Sequence, residues 1–137
     1  MSKKLTTKVQ PEPEKLDVIK APTKFNIELG GKLFTVFFGT LTFLRIKEER
    51  PELPSSFDLL ESIDPIEAIP FLIHCGVRPE DRAWNSYEEL LELYDECEDT
   101  EAVAKVLPGY LAGSGSVLKK LTPALAAVEA LSEKGTK

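Results

Sequence analysis

Between Phe25 and Phe38 apolar and polar residues alternate in two runs separated by Gly30-Gly31. Paired glycines there predict a tight hairpin, because the turn that matches strand twist needs positive φ at its centre. A two-residue loop pairs Ile27 with Phe34 and Phe25 with Val36. Phe25, Ile27, Leu29, Phe34, Val36 and Phe38 then share one face, and Asn26, Glu28 and Thr35 share the other. Two strands are not stable alone in water, so the apolar face must rest on the segments that follow.

Those segments read as helices. Gly39-Thr40 can open one over Leu41 to Arg50 that buries Leu41 and Leu44, with Phe43 and Ile46 as further core positions. A longer strand is the alternative, since Thr42 and Phe43 suit strands; the charged run Arg45, Lys47, Glu48, Glu49, Arg50 favours the helix. Pro51 stops it. Ser55 and Ser56 can cap a short helix over Phe57 to Ile63. Asp64-Pro65-Ile66-Glu67 restarts the pattern, with a capping carboxylate and a proline at the first helical position. The run through Ile66, Ile69, Phe71, Leu72 and Ile73 to Gly76 is apolar enough for the central, buried helix. Pro70 within it predicts a kink or a late start.

After a loop over 77–85, Ser86-Tyr87-Glu88-Glu89 forms a capping box. Tyr87, Leu90, Leu91 and Tyr94 then repeat at helical spacing, opposite an acidic face of Glu88, Glu89, Glu92, Asp95 and Glu96. Asp99 can cap the next helix, whose stripe is Val103, Val106, Leu107, Tyr110 and Leu111, interrupted at Pro108. Gly113-Ser114-Gly115-Ser116 reads as a flexible hinge. Beyond it Leu118, Leu121, Leu125 and Val128 keep helical spacing, with Pro123 breaking or starting a helix. The pattern predicts a mainly α fold: a small bundle of five to six helices with an N-terminal β-hairpin packed on it. Residues 1–24, rich in lysine and proline, read as a disordered arm. Residues 25–112 form the helical domain, and 113–137 a hinge and amphipathic segment.

The chain has 137 residues, enough for one domain with a core, and 42% of them are hydrophobic. A formal net charge of -6 argues against nucleic acid as the main partner, because phosphate binding needs clustered Lys and Arg. Cys75 and Cys97 fit neither a metal spacing nor a disulfide framework, and a reducing cytoplasm is the simplest setting. No apolar run matches a membrane span or signal-peptide core.

Chemistry is sparse. His74-Cys75 is the one pair resembling a nucleophile with its base, yet adjacent helical residues point about 100° apart. One histidine cannot build a zinc site without neighbouring ligands. The acidic run from Asp95 to Glu101 lacks the glycine and alternating oxygens of a calcium loop. Gly30-Gly31 lacks the lysine and serine of a phosphate loop. These residues predict a non-enzyme without metal or cofactor. Trp84 reads either as an exposed interface anchor or as a loop tryptophan folded onto the core.

The order Asn26-Ile27-Glu28-Leu29-Gly30-Gly31-Lys32-Leu33-Phe34, then an apolar-to-acidic helix, resembles the opening of tail assembly chaperones of long-tailed phages and prophages. The resemblance continues through Phe57-Asp58-Leu59-Leu60-Glu61, His74-Cys75-Gly76-Val77 and Asn85-Ser86-Tyr87-Glu88-Glu89-Leu90-Leu91-Glu92-Leu93. It covers Phe25 to Leu111. It implies a helical protein of the bacterial host cytoplasm, absent from the mature virion, that binds the tape measure protein and helps recruit tail tube subunits. Self-association is compatible with it. Masking an apolar client stripe would remove surface from water at roughly 25 cal/mol per Å². The surfaces expected to do so are Val103, Val106, Leu107, Tyr110 and Leu111, then Leu118, Leu121, Leu125 and Val128, with Trp84 beside them; ordinary core is the competing reading of both stripes. Other functions in view are a structural virion component, such as a tail tube or head–tail connector protein, and a small regulatory adaptor.

Overall fold

The computed structural model describes residues 21–135, with side chains as far as Leu131. The arm expected over 1–24 therefore lies largely outside the described residues. Its last residues are built into the fold: the Phe38 amide donates to the Thr23 carbonyl at 2.8 Å, and Lys24 begins the first strand.

Strands β1 (Lys24–Leu29) and β2 (Lys32–Phe37) form an antiparallel hairpin in the expected register, with Ile27 opposite Phe34 and Phe25 opposite Val36. Gly30 and Gly31 have φ of 59° and 82°, the paired positive values of a two-residue turn that follows the strand twist. Every residue assigned to the apolar face is buried.

Five helices follow among the described residues: α1 (Thr40–Glu49), α2 (Leu59–Ser62), α3 (Pro65–Gly76), α4 (Tyr87–Asp95) and α5 (Thr100–Gly135). The fold is mainly α with the hairpin packed on the helices. Short 3₁₀ turns lie at Ser56–Asp58 and Pro79–Asp81. The capping residues act largely as their types dictate. Asp64 accepts from the Ile66 amide at 3.0 Å, and Ser86 from the Glu89 amide at 3.2 Å. Glu89 reaches back one residue further than a capping box requires, accepting from the Asn85 amide at 2.7 Å.

Three expectations about the helices are corrected. Helix α1 buries Thr42, Phe43 and Ile46, whereas Leu41 and Leu44 stay 64% and 61% exposed. Tyr110 and Phe57 stack beside Phe43 and draw that face inward. In α3, Ile66 lies in solvent, and the buried stretch begins at Ala68. Pro70, Pro108 and Pro123 all lie within continuous helix; each removes one ladder hydrogen bond, and the flanking turns carry on.

The largest correction concerns Gly113 to Ser116. This stretch is helical, so α5 crosses the expected boundary between 112 and 113 without a hinge. Glycine serves close approach there. A Cβ on Gly113 would lie 2.5 Å from the Phe38 carbonyl oxygen, and one on Gly109 would lie 3.0 Å from that of Pro22. The two glycines, one turn apart, flatten α5 so that the end of the hairpin can press against it.

The core joins the inner face of the hairpin to α1, α3, α4 and the first half of α5. Tyr110 is its hub: buried, edge-to-face with Phe38 and tilted against Phe43, with its hydroxyl donating to the Ser56 carbonyl at 2.6 Å.

Candidate partner-binding surface

Helix α5 has two unlike halves. From Thr100 to about Val117 it packs on the body. Ala102, Val106 and Tyr110 are buried, and Val103, Leu107 and Val117 are half-buried against them. The stripe from Val103 to Tyr110 is therefore core rather than a free surface, and Leu111 alone of that set is exposed. These residues are drawn inward because Gly109 and Gly113 bring this half of α5 onto the hairpin.

Beyond Val117 the picture changes. Every residue from Leu118 to Leu131 is exposed. Leu118, Leu121, Leu125 and Val128 keep one stripe, and Leu131, not singled out from the sequence, extends it. The spacing i, i+3, i+7, i+10 repeats every 3.5 residues on average, the period at which one helix meets another side by side. The segment spans about 20 Å at 1.5 Å per residue. No described residue buries it.

Trp84 is 6% exposed and belongs to the core. Its ring packs on Phe34 with centroids 5.4 Å apart, and its indole N–H donates to His74 Nδ1 at 3.1 Å. Burial, aided by the Arg82 charge, lowers the His74 pKa to about 4. The imidazole is thus neutral at pH 7 and accepts from tryptophan. Burial also raises the Cys75 thiol to about 12, with the Glu49 charge adding to it, so the sulfur stays protonated and is no nucleophile at neutral pH. Among the described residues, no group of three or more His, Cys, Asp or Glu side chains is placed to hold a metal ion. No helix there is long and apolar enough to cross a membrane.

At the root of the projecting segment lies an open groove of about 670 Å³ between the start of α1, the end of β2 and α5. Phe37, Leu41 and Val117 give it an apolar lining, and Lys24, Arg45, Arg78 and Lys120 stand along it with one carboxylate, Asp81. Strand alternation places Phe37 on the outer face of the hairpin, where it is 47% exposed. Sequence reasoning missed this groove, although the odd apolar residue Phe37 on the outer side of β2 was a readable signal. Comparison with protein-family models, curated proteins and solved structures returns no match.

Proposed function

We propose that the protein is a helix-binding chaperone: it covers apolar helical surface on a larger client and releases it later. More particularly, it would be a tail assembly chaperone of a long-tailed phage, holding the tape measure protein in solution in the bacterial cytoplasm and helping to recruit tail tube subunits. The observation that carries the reading is the bare half of α5. Five large apolar side chains line one stripe of a helix with nothing packed on it. Fully burying such side chains contributes about 1.5–3 kcal/mol each, and these are only partly exposed, so the stripe offers roughly 5 kcal/mol. That is enough to hold a client reversibly and too little to hold it permanently. The order of hairpin, apolar helix and acidic helix adds the resemblance in Asn26–Phe34 and Asn85–Leu93. The acidic face of α4 keeps such an assembly in solution.

The test is co-expression with a tape measure fragment from the same phage. The full chain should keep the fragment soluble, and a chain ending at Val117 should fold and leave the fragment insoluble. If the shortened chain solubilises the fragment as well as the full one, the α5 segment has no part in the work. Recovery of the protein from purified particles would favour a structural virion component instead.

A further inference from the structure

The groove at the root of the bare segment is lined by four basic side chains and one carboxylate. We propose that it seats an amphipathic helix carrying carboxylates beside its apolar stripe, continuous with the client stripe on α5. This rests on the helix-binding reading above and adds to it the chemistry of the bound segment.

Three independent features point the same way. First, the groove runs directly into the bare helix. Val117 and Lys120 form its wall, and Leu121, one turn beyond Val117, belongs to the exposed stripe. A single client helix can therefore lie on both. Second, the groove is basic within a chain of net charge -6. Arg78 is held by Glu80 and Asp81 at 3.3 Å each. Among the described residues, no ion pair engages Lys24, Arg45 or Lys120, although Arg45 also donates to the Cys75 carbonyl at 2.7 Å. Third, the N-terminus of α1 opens onto the groove with only the Gly39 amide met by a side chain, donating to Thr42 Oγ1 at 3.3 Å. Its N-cap is Gly39, which has no side chain to accept from the first amides, and its first turn holds no acidic residue. The positive end of that helix therefore faces the space where a carboxylate would sit. The apolar lining of Phe37, Leu41 and Val117 distinguishes this site from a nucleic-acid groove, in which phosphate contacts dominate.

The test uses the full chain and three designed helical peptides. They share one leucine stripe and differ only in its flanks: glutamate, glutamine or lysine. In fluorescence anisotropy the glutamate peptide should bind about tenfold tighter than the glutamine peptide, and the lysine peptide weakest. The preference should collapse in about 0.5 M salt, where screening is strong. Lys24→Glu with Lys120→Glu, both on exposed side chains, should abolish or reverse it while leaving the circular dichroism spectrum unchanged. Equal binding of the three peptides would overturn the proposal, as would competition by a single-stranded DNA oligomer for the glutamate peptide. A photo-crosslinker placed at Leu41 or at Leu125 separates this proposal from the reading beneath it. Capture of the glutamate peptide from both positions supports both. Capture from Leu125 alone sinks the groove and leaves the α5 stripe standing, and capture from neither sinks both.

Discussion

Two glycines two residues apart on α5 should respond oppositely to the same change. Gly113→Ala would press a methyl group into the Phe38 carbonyl at 2.5 Å, a contact with backbone that cannot swing away. Gly115 has nothing within 4 Å, and there alanine only improves the helix. Chemical denaturation should show Gly113→Ala losing about 1–3 kcal/mol, as overpacking does, and Gly115→Ala gaining about 0.5–1 kcal/mol. His74 gives a prediction in pH. Its folded pKa is about 4 against an ordinary 6.5, so between those values the unfolded chain holds a proton that the folded chain refuses. Stability therefore falls as pH drops through that window, by up to about 3 kcal/mol, and this loss is complete below it. His74→Gln keeps an acceptor for the Trp84 indole and does not titrate. Urea midpoints from pH 7 down to about 4.5 should fall less steeply for this variant than for the parent, with carboxylate titration common to both.

At the scale of elements, Asp99 joins two of them. One carboxylate oxygen accepts from the Ala102 amide at 3.2 Å and caps α5, and the other accepts from the Glu28 amide at 3.0 Å on the open edge of β1. Cys97 supports the same edge through the Glu28 carbonyl. Asp99→Ala should cost about 1–2 kcal/mol in thermal or urea unfolding, since a cap and an edge partner are lost together. The cap could be read from the sequence because it is local. The edge bond could not, because its partners stand 71 positions apart. The same division runs through the fold. The hairpin register, the start of α3 at Asp64 and the capping serine of α4 are local, and they emerged correctly. The phase of α1 was lost because Leu41 and Leu44 look like core until Tyr110 and Phe57 are known to lie beside Phe43. Gly113 to Ser116 was misread because glycine serves flexibility and close contact with the same letter. Within the candidate surface, the stripe from Leu118 to Val128 was legible as periodicity, but only its packing could separate it from the stripe between Val103 and Tyr110. The groove depends on three elements meeting, which no single stretch announces.

On the proposed function the whole molecule would keep stability and binding in different places, and one variant tests this. The core that closes the body ends near Val117, and the exposed stripe begins one residue later. A change on that stripe should therefore leave the free protein nearly untouched. Leu121→Asp with Leu125→Asp replaces two exposed side chains, 40% and 55% accessible, and exposed substitutions usually move stability by no more than about 0.5 kcal/mol each. In a complex the same positions would lie against a client, where losing two leucines removes roughly 2 kcal/mol of the stripe's burial and burying two carboxylates against apolar surface costs more again. The double variant should melt within a few degrees of the parent and lose client binding by more than about 100-fold. A double variant that unfolds would mean the stripe is hidden core. One that folds and still holds its client would mean that binding lies elsewhere on the body, because two charges in the middle of an apolar contact cannot be tolerated silently.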